Sequence, residues 1–227
     1  MTVQHPTREL RVREKLLTSG AQNLSDVELL AVFISSGHAK KSCMQLAHDL
    51  IKHFGDMRTL LNTDLATFQQ VPGLGPVRYI QLQAVREMCR RSDFITLQKN
   101  TPLTSAKQTY SFLKRQLRDK KNETFVALFL DSQHRVLSYE ELFNGTIDAA
   151  NIHPRPIIER ILKHNAAALI LAHNHPSGLS DASHHDIAVT ARLKQAFDLV
   201  DTRLLDHLVI GDNEVYSIMS ETKWTCN

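Results

Sequence analysis

The sequence lacks the long apolar runs, the paired cysteines and the strong net charge that mark several common protein classes. No apolar run approaches the roughly 20 residues that a membrane-spanning helix needs. The three cysteines, Cys43, Cys89 and Cys226, lie far apart and are odd in number. They therefore predict reduced thiols rather than a disulfide framework or a zinc knuckle. The N-terminus is charged and has no apolar signal core, so we expect a cytoplasmic protein with no membrane partner.

Charge of one sign is also scarce, because the formal net charge of the 227 residues is only +3. Residues 1–98 carry 12 lysines and arginines against 9 acidic residues, whereas residues 99–227 carry 15 of each kind. This surplus is too small to predict a nucleic-acid partner by itself. Eight of the 12 histidines lie in residues 99–227, so imidazole chemistry is expected in that part.

The first part of the chain has the sequence pattern of helices. Ser25 and Glu28 form a capping-box pattern ahead of an apolar run, which predicts the start of a helix. The polar stretch 91–104 breaks the helical pattern and predicts a linker. We therefore expect a small all-helical domain over residues 1–98 and a second domain over residues 99–227.

The periodicity changes in the second part, where short β-rich apolar segments alternate with helical ones. Strands are predicted over residues 124–130, 135–143, 168–172, 203–210 and 214–219, and helices over residues 105–117, 154–165 and 183–200. This mixture is typical of an α+β or α/β layer fold.

The segment LILAHNHPSGLSDASHHDI places two histidines and an aspartate just after a buried strand. Residues i and i+2 of a strand point the same way, so His173 and His175 leave the strand on one face. Asp186 falls in the first turn of the next helix, with Ser183 three residues before it in a capping-box arrangement. Three protein ligands and a water molecule are the pattern of catalytic zinc. The spacing therefore predicts one Zn²⁺ per chain, bound by His173, His175 and Asp186.

Histidine-rich loops are also typical of solvated surface, and the spacing alone leaves this alternative open. We interpret the neighbouring His184 and His185 as solvated side chains rather than as further ligands. His153 and His207 are interpreted as structural, hydrogen-bonded histidines.

Longer motifs resemble a known family. H-N-H-P-S-G followed by S-H-H-D fits the His-x-His-x10-Asp pattern of JAMM/MPN-type metalloproteases. The segments ETFVALFLDSQHRV, ELFNGTI, HPRPIIERIL, NAAALILAHNHPSG and RLLDHLVIG resemble the RadC family of bacterial proteins, and the resemblance covers nearly the whole chain. It implies a JAMM-type fold, in which a curved β-sheet is flanked by helices, with one zinc ion. It also implies a link to DNA repair or recombination.

The resemblance further implies a glutamate that acts as general base and precedes the first strand of the core. Glu123 stands at that place, whereas Glu140 and Glu141 lie on the second predicted strand, outside the position that the family pattern assigns. Ser183 is then expected to hydrogen-bond the developing oxyanion or the water at the metal. The alternatives are a solvated carboxylate for Glu123 and a plain helix cap for Ser183.

A second motif, VPGLGPVRYIQL at residues 71–82, resembles a helix-hairpin-helix element. Its glycines permit a tight turn, and exposed amides at the start of the next helix can hold a phosphate. We expect DNA to contact Gly73, Gly75 and the Arg78 side chain without any reading of base sequence. A connector that serves only helix packing or protein contacts is the alternative.

Two functions follow from these observations. The first is a zinc-dependent (iso)peptidase-like hydrolase with an unknown protein or peptide substrate and a DNA-binding helical domain. The second is a DNA-associated accessory protein or nuclease, in which the metal site serves binding or phosphodiester hydrolysis. The sequence does not choose between an amide and a phosphodiester as the scissile bond.

Overall fold

A computed structural model of the chain describes residues 8–38, 41–98, 103, 106–145 and 152–225. The chain divides into two compact units between Cys89 and Arg90. The division falls before residue 98, where the sequence analysis places the end of the first domain, and that placement stays a prediction.

The regular secondary structure of the first unit's described residues is helical, apart from one isolated β-bridge between His38 and Lys41. The helices are α1 (Arg8–Ser19), α2 (Asp26–Ile34), α3 (Cys43–Phe54), α4 (Met57–Asn62), α5 (Leu65–Phe68) and the first part of α6 (Pro76–Gln98). The capping box predicted for α2 is present, because the Ser25 side chain accepts from the Glu28 amide and the Glu28 side chain accepts from the Ser25 amide. Local sequence therefore sets where this helix begins.

The predicted linker over residues 91–104 is wrong in its first part, where α6 continues to Gln98. Residues 99–102, 104 and 105 lie outside the described residues. Phe94 gives the physical reason for the longer helix. Its ring packs 6.1 Å from the ring of Phe112 and 6.4 Å from that of Tyr139, measured between centroids. Aromatic packing of this kind stabilises a helix that its polar neighbours do not predict.

The second unit is built on a mixed sheet. Its described elements are α7 (Ala106–Leu117), β1 (Thr124–Leu130), β2 (Val136–Asn144), α8 (Pro154–His164), β3 (Ala168–Asn174), α9 (His184–Asp198), β4 (Arg203–Ile210), β5 (Glu214–Ser217) and β6 (Thr222–Thr225). Among the described residues the strand order is β2-β1-β3-β4-β5-β6. The β3–β4 pair is parallel and the other neighbours are antiparallel. The predicted α+β class, with a sheet flanked by helices, is confirmed.

The two faces of the sheet are covered by different helices. On one face Leu128 belongs to a buried cluster with Leu113 of α7. On the other face Phe129 belongs to a buried cluster with Ile161 of α8 and Phe197 of α9. Because successive strand residues point to opposite faces, this division assigns each strand position to one layer.

Strand β6 is an element that the sequence analysis missed, since the predicted hairpin ended at residue 219. It pairs antiparallel with β5, and its Trp224 ring lies 5.6 Å from the ring of Tyr110. The strand has only four residues, which is too short for an alternating pattern to identify it, and the pairing with β5 decides its conformation.

The cysteines and the helices give two further facts about the class of protein. Cys43 is a buried thiol and Cys89 an exposed one, neither of them is in a disulfide bond, and Cys226 lies outside the described residues. Across the described part of the chain, none of the helices combines the length and the apolar character that crossing a bilayer requires.

Candidate metal centre

The end of β3 and the start of α9 meet on one side of the sheet. His173 follows Leu171 at a spacing of two, so its side chain lies on the face that α8 and α9 cover. It is fully buried, with 0% of its surface exposed. Asp186, in the first turn of α9, is also buried. The predicted strand-loop-helix arrangement therefore brings the histidine and the aspartate together.

Glu123 reaches the same place through the register of β1 against β3. Phe125 pairs with His173 in this antiparallel ladder. Continuation of the same register places Glu123 opposite His175, beyond the end of β1. The sequence had placed Glu123 before the first strand, and strand pairing supplies its position beside the two histidines.

Asn174 ties the Glu123 segment to β3. Its Oδ1 accepts from the Thr124 amide at 2.9 Å, and its Nδ2 donates to the carbonyls of Lys120 at 3.2 Å and Asn122 at 3.3 Å. Asn174 is only 1% exposed, so these bonds are shielded from water. The backbone on both sides of Glu123 is therefore held by the residue that separates His173 from His175.

Four side chains converge to form the candidate metal centre. One ligand atom each from Glu123, His173, His175 and Asp186 lies within 4.8 Å of the others. The Nε2 atoms of the two histidines are 3.1 Å apart, and they lie 3.3 Å and 3.7 Å from the Asp186 oxygens. Ligands of a tetrahedral zinc ion are separated by about 3.4 Å when the bonds are about 2.0–2.1 Å. The separations of the three predicted ligands thus fit a tetrahedral cation.

The hydrogen bonds on the far side of each imidazole also fit a cation. The Nδ1 atom of His175 lies 3.1 Å from the carbonyl oxygen of Leu179, which can only accept, so this nitrogen carries a proton. The Nδ1 atom of His173 contacts His207 at 2.9 Å, and its Nε2 faces the cluster. Metal-bound histidines usually donate their other ring N–H to a carboxylate, a backbone carbonyl or water, and the contact of His175 with Leu179 is of this kind.

The protonation of the cluster follows from burial and from Asp186. Burial lowers the pKa of His173 to about 4. The neighbouring Asp186 carboxylate, 3.7 Å from its Nε2 atom, raises the pKa of His175. Burial alone would raise the pKa of Asp186, but the neighbouring His175 and His173 and the hydrogen bonds from Ser183 outweigh it and lower that pKa. A neutral imidazole and an ionised carboxylate are the states that ligate metals, so a bound cation would take the place of a proton on His175 Nε2.

Ser183 is the N-cap of α9. Its amide donates to Asp186 Oδ2 at 2.7 Å, its hydroxyl donates to the same oxygen at 2.6 Å, and it accepts from the Asp186 amide at 3.1 Å. The capping alternative is therefore observed. A role toward an oxyanion stays a prediction, and it requires the hydroxyl proton to leave the Asp186 carboxylate.

The rival glutamates lie in ion pairs elsewhere. Glu140 contacts His164 at 2.5 Å and Arg160 at 3.2 Å, and Glu141 contacts Lys120 at 2.6 Å. Neither belongs to the cluster that contains Glu123.

The other histidines separate into three environments. His184 is exposed, as expected, whereas His185 is half-buried and its Nε2 has no hydrogen-bond partner among the described residues. His207 is buried and hydrogen-bonded, in agreement with its structural interpretation. His153 departs from that interpretation, because it is exposed and its side chain makes no capping bond to α8.

The residues predicted to contact DNA lie at the turn before α6 and, for Arg78, in the first turn of that helix. Gly73 has φ 93°, a conformation that favours glycine, and nothing lies within 4 Å of a Cβ built on Gly75. The Arg78 guanidinium donates to the carbonyls of Gly73 at 2.5 Å and Ser36 at 2.8 Å. The tight turn is present, and part of the Arg78 side chain is used to hold it.

Sequence reasoning gave no functional role to Asn174, Thr190 and His207. A polar residue inside an apolar run was the available signal, because buried polar groups require hydrogen-bond partners. Asn174 ends the run LILAH, and His207 interrupts the run LLDHLVI. Thr190 gave the same kind of signal, since it interrupts the run IAVTA.

Comparison with known proteins extends to both units. The sequence model of a family described as "RadC-like JAB domain" matches residues 103–224, and that of a family described as "UPF0758 N-terminal" matches residues 3–80. The chain is 66% identical to a UPF0758 protein of Legionella pneumophila (strain Corby) over 227 residues, the whole of both chains. It is 53% identical to a UPF0758 protein of Thioalkalivibrio sulfidiphilus over 205 residues, 90% of this chain and 92% of the relative. A UPF0758 protein of Pseudomonas savastanoi is 49% identical over 209 residues, 92% of this chain and 93% of the relative.

Proposed function

The chain belongs to the RadC family of UPF0758 proteins, and on this basis we propose that it is a zinc-dependent hydrolase of peptide or isopeptide bonds in the cytoplasm. The observation that carries the proposal is the convergence of Glu123, His173, His175 and Asp186 within 4.8 Å of one another. Two imidazoles and a carboxylate supply the donor set of a catalytic zinc site, and the remaining carboxylate suits a general base.

The residues of the site have two tasks, which are to hold the cation and to move a proton. His173, His175 and Asp186 would hold Zn²⁺. The chemistry of this ion, when bound, is to polarise a carbonyl group and to lower the pKa of a water molecule. Glu123 would take the proton of the attacking water on a carboxylate oxygen and pass it to the leaving amine. The Asn174 bonds to the flanking backbone would keep that carboxylate in reach, which matters because small displacements of a catalytic group are costly.

We expect about one zinc ion per chain in the purified protein, and almost none in the His173→Ala/His175→Ala double variant. Elemental analysis of both proteins measures this directly. The matched control is His48→Ala/His53→Ala, which removes two exposed histidines from α3 and should retain the metal. Equal zinc content in the wild type and the His173/His175 variant would contradict the metal site.

The nature of the scissile bond is tested with a panel of substrates. Peptides, isopeptide-linked peptides, and duplex and branched DNA should be offered to the zinc-loaded full chain. Cleavage of an amide that Glu123→Gln abolishes supports the hydrolase proposed here. Cleavage of DNA alone would move the assignment to a metal-dependent nuclease.

A second function, association with DNA, is supported by the tight turn at Gly73 and by the open surface at Gly75, where nothing lies within 4 Å of a built Cβ. We expect weak binding without sequence preference, because amides and one arginine contact only phosphate. The dependence on salt should be shallow, with a slope near −0.9 for each phosphate contacted. Gly75→Ala is the most specific test of this contact. The added Cβ meets no atom of the protein within 4 Å, so the fold should be kept, but it should prevent the close approach of a phosphate.

Titration of the full chain with duplex and branched DNA at two salt concentrations measures this prediction. Lys52→Ala, which removes an exposed charge from α3, serves as the charge control. If Gly75→Ala binds as the wild type does, or if neither protein binds at low salt, the turn serves packing or protein contacts instead.

A further inference from the structure

A hydrogen-bond chain starts at His173 Nδ1, on the side of the ring that faces away from the cluster, and ends on the main-chain carbonyl of Asp186. His173 Nδ1 lies 2.9 Å from His207 Nε2, and His207 Nδ1 lies 2.5 Å from Thr190 Oγ1. Thr190 Oγ1 lies 2.6 Å from the main-chain carbonyl oxygen of Asp186. These residues are almost completely enclosed, with exposed fractions of 0% for both histidines, 3% for Thr190 and 6% for Asp186. This hydrogen-bond chain therefore links β3, β4 and α9 without contact with water.

The direction of each hydrogen bond follows from counting protons. A carbonyl oxygen only accepts, so the single hydroxyl proton of Thr190 is donated to Asp186. The Thr190 oxygen must then accept from His207 Nδ1. A neutral imidazole has one N–H, which leaves His207 Nε2 as an acceptor for the proton on His173 Nδ1. His173 Nε2 is consequently left with its lone pair, and it faces His175 and Asp186.

We propose that Thr190 and His207 are positioning residues of the metal centre, which fix His173 in the tautomer whose Nε2 can bind a cation. The inference rests on the proposed metal site and adds to it a second layer of residues. Outer partners of this kind orient ligand imidazoles and increase their affinity for metal. Here the partner of the ligand is a second histidine, whose own tautomer is set by one hydroxyl group.

If every hydrogen bond in this hydrogen-bond chain ran in the opposite direction, His173 could not bind a cation. If Thr190 donated to His207 Nδ1, then His207 Nε2 would donate to His173 Nδ1, and His173 Nε2 would carry a proton toward the cluster. That arrangement gives up the bond to the Asp186 carbonyl. The choice between the two arrangements therefore depends on the Thr190 hydroxyl, which a single isosteric substitution removes.

Thr190→Val and Thr190→Ser form the matched pair. Valine has the shape of threonine without the hydroxyl, and it leaves His207 Nδ1 with no acceptor, whereas serine keeps the hydroxyl. We expect Thr190→Val to bind zinc about 10–100-fold more weakly than the wild type, and Thr190→Ser to bind it nearly as tightly. Competition of each full-length protein with a chromogenic zinc chelator measures the affinity.

The tautomer is read in the metal-free proteins by two-bond ¹H–¹⁵N spectra of the imidazoles, with His173 assigned from the spectrum of a His173→Asn variant. The wild type and Thr190→Ser should show His173 protonated at Nδ1, and Thr190→Val should show a shift toward Nε2. Wild-type His173 protonated at Nε2, or unchanged zinc affinity in a folded Thr190→Val, would overturn the inference. The wild-type spectrum decides the tautomer even if Thr190→Val does not fold. A wild type that shows the Nδ1 tautomer but binds no zinc would refute the proposed function and leave the assignment of the hydrogen-bond chain intact.

Discussion

Glu123→Gln should keep zinc and lower hydrolysis by about 10²–10⁴-fold, the usual contribution of a positioned general base. The amide has the size of the carboxylate but cannot take a proton from water. Asp186→Asn should fail differently and lose zinc, because its neutral amide is a weak ligand. Zinc content measured before activity separates the two residues, and activity is then measured on the substrate that the panel identifies.

Asp186 has a second role that the experiment must separate from ligation. Its carboxylate accepts the Ser183 amide and hydroxyl, so Asp186→Asn also weakens the capping box of α9. Ser183→Ala disturbs the same box and keeps the carboxylate. It should cost about 1 kcal/mol of stability and retain zinc. Loss of its activity as well would support the predicted role of the Ser183 hydroxyl toward the oxyanion.

Glu141→Gln is the matched control for Glu123→Gln, because it makes the same chemical change in a carboxylate that pairs with Lys120 at 2.6 Å. It should retain both zinc and activity, since an exposed ion pair contributes little. If Glu123→Gln loses zinc as completely as Asp186→Asn does, Glu123 is a ligand or a structural residue, and the general base lies elsewhere.

The metal-free second unit should lose about 2 kcal/mol of stability between about pH 6.5 and pH 5. The cause is His173, whose pKa burial lowers to about 4 in the folded state, against about 6.5 when it is unfolded. The unfolded state therefore binds the proton first, and stability falls as the pH drops through this interval. Each pKa unit is worth about 1.4 kcal/mol. Burial also lowers the pKa of His207, so it adds to the loss in the same direction.

The other shifted groups of the cluster act outside this pH window. The pKa of His175 is raised, so its stabilising contribution is fully present below about pH 6.5 and does not change on further acidification. The pKa of Asp186 is lowered, so its contribution is lost only as the pH falls below about 3.9. Among these groups, the loss between about pH 6.5 and pH 5 consequently reports the two buried histidines, His173 and His207.

Trp224, the single tryptophan of the chain, lies in β6 and makes the measurement specific to the second unit. Urea unfolding followed by its fluorescence in the presence of a chelator gives the free energy of unfolding at each pH. His173→Gln should show a smaller loss than the wild type. His134→Asn, which changes a histidine outside the cluster, should show the same loss as the wild type. A free energy of unfolding that is independent of pH would contradict the assignment of buried neutral histidines.

Local features of the candidate site could be predicted because their signals act over a few residues. The capping box of Ser183 and Asp186 joins side chains and amides three residues apart, and it is present. The alternation of strand residues predicted that His173 and His175 project from one face, and their Nε2 atoms lie 3.1 Å apart. Because a short loop and the start of α9 follow the two histidines, the Asp186 side chain had few other positions to take.

Long-range features could be predicted only where family resemblance supplied them. Glu123 was selected over Glu140 and Glu141 by its place in a family pattern, and the spacing of residues offered no physical preference. Pairing of Phe125 with His173 brings Glu123 to the histidines, and the ion pairs of Glu140 and Glu141 hold those side chains elsewhere. No local rule sets that register, because it depends on the burial of both sheet faces.

The sequence by itself therefore determined the classes of element, their approximate limits and the three residues that the His-x-His-x10-Asp spacing predicts as ligands. Only the tertiary structure decided how α6 continues past the polar stretch, where Arg78 directs its guanidinium, and which partners stand behind His173. The physical reason is the range of the forces involved. Caps and periodicity act within a few residues, whereas the partner of a buried imidazole is chosen by strands and helices that meet only when the chain has folded.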